Sequence, residues 1–275
     1  MWLNGLVYVG GGFETEEAVS HRIDVYNPVS NVWTFPPIST PCCFFTMATL
    51  NNKLLIAGGR NRNGDKTDEI LILDGDQLKN YTKMIRPRSH ATAAGHQGML
   101  IITGGEGDIG QILSSTELFN SYSRQWYACS DLPRPHYWLR SVIVDNVLYL
   151  IGGTDRNYYP SPAVFAAPLD TLSRHQLKWY ILQDTPWHCS TPLNINNTNL
   201  LIVGGYKIIE NVFMHTSDIY KLNKFSHSWE AIGNIPSARN SSAAISTADN
   251  RMIIIGGRNR GQFTNSVWIG SCESH

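Results

Sequence analysis

The chain has 275 residues, 42% of them hydrophobic and 16% charged, with 22 basic residues against 22 acidic ones. That is ample material for a buried core and too little charge for a disordered chain. The balance argues against a nucleic-acid binder or a membrane-surface protein, either of which needs a large basic excess.

The five cysteines, Cys42, Cys43, Cys129, Cys189 and Cys272, are odd in number and have no paired spacing. Reduced thiols in the cytoplasm are therefore expected rather than a disulfide framework. No apolar run approaches a membrane span, and the opening residues show no basic leader.

Along the chain one unit recurs about every 50 residues. Its core is a short apolar run ending in a glycine doublet: LVYV (with Gly10 intervening) before Gly11-Gly12, LLIA before Gly58-Gly59, LIIT before Gly104-Gly105. LYLI before Gly152-Gly153, LLIV before Gly204-Gly205 and MIII before Gly256-Gly257 complete the set. Such unbroken runs predict strands buried on both faces. About two dozen residues beyond each of the first five doublets stands an aromatic, in turn Trp33, Tyr81, Trp126, Trp179 and Trp229. A strand-like segment precedes each ring, as in RIDVYNP and STELFNS, and a proline-containing turn follows most of them. The segment before the next apolar run is rich in small residues, as in SHATAAGH and NSSAAIST.

Each period thus predicts four antiparallel strands: a (small residues, innermost), b (apolar run and doublet), c, and d (aromatic). A four-stranded sheet repeated radially is a propeller blade. The pattern resembles the kelch repeat superfamily over essentially the whole chain, which implies an all-β, six-bladed propeller in a single domain, residues 1–275. Paired glycines would let backbones approach and large rings would fill the seams between sheets. Only ten residues precede Gly11, so the first blade is expected to lack strand a, and the sixth to lack strand d.

The b–c loops are long and varied, and with the d–a loops they would emerge on one face, where binding residues concentrate. Candidates from the b–c loops are Arg60, Arg62, Arg258 and Arg260, with the aromatics Tyr158, Tyr159 and Tyr206. From the approach to strand a come Arg88, Arg134, His136 and Arg239. Kelch-like ubiquitin-ligase adaptors grip acidic peptides with such residues, so the resemblance implies a protein or acidic-peptide partner. Arginine suits carboxylates because its planar fork gives two charge-assisted hydrogen bonds. For each arginine the competing expectation is blade-to-blade bonding or plain solvation.

An actin or cytoskeletal partner is the second expectation of the interaction class. Carbohydrate-active kelch enzymes, the mutarotase and galactose-oxidase types, are the alternative from another class. Arg88, Glu106 and Arg134 could imitate a mutarotase group, but the nine histidines are scattered and no catalytic motif stands out. A non-enzymatic scaffold with no cofactor and no metal is expected.

Overall fold

The computed structural model describes residues 1–15, 18–210, 212–259 and 261–271. Its principal strands form six antiparallel sheets, five ordered a-b-c-d and the sixth a-b-c, at the spacing that the glycine doublets predict. Two compact units hold them, Met1–Leu139 with Thr171–Leu177, and Arg140–Asp170 with Lys178–His275.

In the first unit, sheet 1 joins Trp2–Leu3, Leu6–Gly10, Ile23–Asn27 and Val32–Thr34. Sheet 2 joins Thr46–Leu50, Lys53–Ala57, Glu69–Asp74 and Gln77–Lys83, and sheet 3 joins Thr92–His96, Met99–Thr103, Thr116–Asn120 and Gln125–Cys129. In the second unit, sheet 4 joins Arg140–Val144, Val147–Ile151, Val164–Pro168 and Tyr180–Ile181. Sheet 5 joins Thr191–Ile195, Asn199–Val203, Asp218–Leu222 and Trp229–Asn234, and sheet 6 joins Ala243–Ser246, Arg251–Ile255 and Val267–Ser271.

The first sheet departs from expectation. Where the sequence leaves no room for a full strand a, a two-residue strand stands instead, with Trp2 opposite Val7 and Leu3 opposite Leu6. It fits because the turn uses only Asn4 and Gly5, both at positive φ. Sheet 6 has three strands among the described residues, without a strand d.

The apolar runs are strands b, and in sheets 2 to 6 their side chains are buried on both faces, with Leu54, Leu55 and Ile56 at most 1% exposed, whereas in the first run only Val7 is fully buried. Each such side chain contributes about 1.5–3 kcal/mol by burial. Three of the five rings pack against these cores, and Trp179 stands just ahead of its strand d rather than on it. Tyr81 and Trp126 pack against the cluster of Leu50, Leu55, Leu100 and Phe119 in the first unit, and Trp126 Nε1 donates to Thr82 Oγ1 at 3.1 Å. Trp229 does the same beside Val144, Leu200 and Leu222 in the second. Among the described residues sheet 6 has no ring on a strand d, and Trp268 on its strand c packs the seam with sheet 5, beside Leu193, Ile195 and Ile254.

The doublets have a sharper role than close approach alone. All twelve glycines take positive φ. A methyl group on Gly58 would collide with the Arg88 carbonyl, and one on Gly204 with the Arg239 carbonyl. Both constraints exclude any side chain there. The described residues contain no α-helix, only a 3-10 turn at Leu172–Arg174, and no helix long and apolar enough to cross a membrane.

Candidate functional site

The d–a loops repeat a single geometry, and it decides which rim residues can meet a ligand. Two residues after each seam position, four of the five buried and Trp187 partly so, comes a non-glycine residue in the left-handed region. The seam positions are Cys42, Arg88, His136, Trp187 and Arg239, and the left-handed ones are Phe44, His90, Trp138, Cys189 and Ser241, with φ between 52° and 58°.

The Arg88 carbonyl accepts the Gly59 amide at 2.9 Å, while its Nη1 donates to Gly104 O at 2.9 Å and Ser115 O at 3.0 Å. Its Nη2 is paired with the Glu117 carboxylate. Arg88 therefore ties the doublet of sheet 2 to the doublet of sheet 3. Arg239 repeats the arrangement in the second unit: its carbonyl accepts from Gly205 at 2.9 Å and its Nη1 donates to Gly256 O at 3.2 Å. Cys42 does the same with a thiol, its Sγ lying 3.1 Å from Gly58 O. Burial, and to a lesser degree Cys43 and Glu69, pushes that thiol up to about 12, so it stays protonated as a donor. At the same position in sheet 3, the His136 carbonyl accepts the Gly105 amide at 2.9 Å.

These contacts correct three expectations. Arg88, His136 and Arg239 are 1%, 2% and 4% exposed, so they sit in seams and not on a binding rim. The reason is that the doublets Gly58-Gly59 and Gly104-Gly105 each take an acceptor and a donor from these seam residues.

The left-handed residues form a hydrogen-bonded row within each unit. In the first, Trp138 N donates to His90 O at 2.8 Å and His90 N to Phe44 O at 2.9 Å. In the second, Ser241 N donates to Cys189 O at 3.4 Å. A bulky residue in this region is strained by about 1–3 kcal/mol, a cost that concentrates at functional sites.

In the first unit the row carries rings. His90 stacks on Phe44 at 4.3 Å between centroids and meets Trp138 edge-on at 5.0 Å. Phe13 lies 6.0 Å from Phe44. Beside them, Glu106 is held by Arg60 Nη2 at 2.6 Å and Lys66 Nζ at 3.2 Å, and its Oε2 is 3.5 Å from His90 Nδ1. Burial works to raise the Glu106 carboxyl, but hydrogen bonds and charge from Arg60 and Lys66 prevail and leave it below the usual carboxylate range. Burial, then the charge of Arg60, lowers His90 to about 4, so the ring is neutral at pH 7. Arg60 is thus engaged internally, whereas Arg62 is thrown outward by a turn in which Asn61 Oδ1 accepts the amides of Asn63 and Asp65 at 2.9 and 3.0 Å. Arg134 is exposed as well.

In the second unit, Asp155 Oδ1 accepts the Asn157 and Tyr159 amides at 2.8 and 3.0 Å, a turn of the same kind, and Tyr158 and Tyr159 are exposed. Tyr206 is instead buried, its hydroxyl hydrogen-bonded to the Cys189 thiol and its ring 5.3 Å from Phe213 and 5.8 Å from His188. It opens a hairpin of Tyr206–Ile209 against Val212–His215 whose Ile208, Ile209, Val212, Phe213 and Met214 are all exposed. Arg258 lies 5.2 Å from the Phe263 ring centroid, and its Nε donates to Gly261 O at 2.8 Å. Arg260 lies outside the described residues, as do Glu16 and Glu17 of the first b–c loop.

The imagined Arg88, Glu106 and Arg134 group is not assembled, because Arg88 pairs with Glu117 and Glu106 with Arg60 and Lys66. Among the described residues no three His, Cys, Asp or Glu side chains are grouped to hold a metal. Phe44, Trp138 and Lys66 escaped the sequence reading. The signal for the first two was a fixed offset of two residues before strand a.

Six antiparallel sheets with doublets at their seams define a propeller of kelch type, and the comparisons agree. The KLHDC2/KLHL20/DRC7 Kelch-repeats domain matches residues 91–275, and the chain belongs to the kelch-repeat family. It is similar to human Kelch-like protein 23, 26% identical over 87% of this chain and 42% of that one. It is also similar to Kelch-like protein 41b of Danio rerio, 23% identical over 75% of this chain and 35% of that one. The chain therefore spans less than half the length of these relatives. A solved structure titled "Structure of YjhT" superposes with a TM-score of 0.80 at 15% identity, covering 98% of this chain and 93% of that one, a likeness of fold.

Proposed function

We propose that this chain is a single non-enzymatic interaction domain that holds a partner protein on its b–c and d–a loops. Kelch-repeat membership supports the class. The observation that carries it is the exposed apolar hairpin of the second unit, with Phe213 at 58% and Val212 at 60% exposure. Exposed large apolar side chains gathered on one hairpin mark an interaction site, and aromatic anchors dominate binding energy. Substrate recognition for a ubiquitin ligase is the finer role we assign, in line with the similarity to kelch-like proteins. The four described cysteines are all free, which suits a reducing cytoplasmic setting.

The partner-binding residues proposed are Arg62 and Arg134 in the first unit and, in the second, Tyr158, Tyr159, Arg258 and the hairpin. Arg60 and Tyr206 support them from behind, and Arg260 adjoins Arg258 in sequence. Affinity purification with wild type, an Arg62→Ala/Arg134→Ala variant and an Ile208→Ser/Phe213→Ser variant tests them. At least one variant is expected to lose captured partners while melting normally. Identical partners and yields from all three would mean that the loops are not the binding surface.

A further inference from the structure

Resting on that reading, we propose that the Phe44–His90–Trp138 row of the first unit is a recognition pocket for an extended peptide carrying a ring-bearing residue (Pro, Phe, Tyr or Trp) beside a single acidic one. Three independent features converge on it. Phe44, His90 and Trp138 occupy consecutive left-handed positions, linked amide to carbonyl, so their rings are delivered to one place by the repeat itself. Nothing in the fold requires bulk there, since Ser241 takes the same position in the second unit.

The row is also partly open. Trp138 is 50% exposed and Phe13, next to Phe44, is 46% exposed, while His90 and Tyr137 behind them are buried. Tyr137 backs Trp138 at 5.0 Å and His90 at 5.9 Å. A half-exposed indole on a rigid aromatic base offers a face for stacking by another ring.

The charge pattern selects against a purely acidic ligand. Arg60 and Lys66 share Glu106, so two cations face one carboxylate, and His90 stays neutral. The charges acting on His90 among the described residues are those three. Within this cluster the excess is one positive charge. It complements one carboxylate, whereas a run of acids would have to displace Glu106.

A random dodecapeptide library displayed on phage is the probe, selected on the full chain and re-scored on variants. Trp138→Gly removes the indole while suiting the left-handed backbone, and Phe13→Ser carries the test should that variant melt early. Enriched peptides are expected to share a ring-bearing residue within a position or two of Asp or Glu. They should bind Trp138→Gly or Phe13→Ser about tenfold more weakly, with melting shifted by less than about 3 °C. Enriched peptides that are uniformly acidic, or that bind both variants as wild type, overturn the pocket. If such peptides are lost instead with Ile208→Ser/Phe213→Ser, the interaction reading stands without it. A library yielding nothing sensitive to any loop substitution sinks both.

Discussion

Arg88 and Arg239 occupy the same position of the repeat and make the same seam bond, yet their surroundings differ. The Arg88 guanidinium also pairs with Glu117, which is 2% exposed and whose other oxygen accepts the Ile85 amide at 2.8 Å. Among the described residues Arg239 has no carboxylate partner and is completed by Ser237, with Nη2 2.8 Å from its Oγ. Burial lowers the pKa of both guanidinium groups, and only at Arg88 does an acid oppose it. The seam bond is therefore the shared requirement, and the buried ion pair is a local addition that makes its own site less forgiving.

This difference can be broken experimentally. Arg88→Met strands the Glu117 carboxylate in the interior, and urea unfolding should register a loss of about 3–5 kcal/mol. A loss under about 1 kcal/mol would mean that Glu117 finds another donor or takes up a proton. His90 comes next. Its folded pKa lies below its unfolded value, so the unfolded chain binds more protons between the two. Stability from keeping it neutral is full above about pH 6.5 and fades as pH falls toward 4, by about 2–3 kcal/mol. His90→Gln should flatten that part of the pH profile, and an unchanged slope would assign it to other groups, with His188 and His215 shifted in the same direction. Arg239→Met, which strands no acid, should cost only about 1–2 kcal/mol. Arg62→Ala, on an exposed turn, should stay within about 0.5 kcal/mol, serving as the surface control.

Much of the architecture was legible because it rests on local rules. Unbroken apolar runs, doublets that need positive φ, and a ring at a set distance all write themselves into the chain. What escaped depends on three-dimensional partners. Arg88 and Arg62 look alike as loop arginines, and only the position of each relative to the next doublet turns one inward and one outward. Cys42 gave no sign of being a seam donor, since its role is defined by Gly58 O across the seam. Trp268 sits on strand c, outside the spacing of the other rings, and packs beside Leu193 and Ile254. The Glu106 cluster joins residues far apart in sequence from two loops, and no spacing rule connects them.

A double-mutant cycle over Arg88→Met and Glu117→Gln, read by equilibrium unfolding, tests most directly whether this arginine is committed to its internal partners. Commitment to Glu117 predicts a coupling energy of about 2–3 kcal/mol, with the double variant more stable than the two single losses would sum to. Strict additivity, with each substitution costing the same in either background, would contradict it and return Arg88 to the pool of residues available for a ligand.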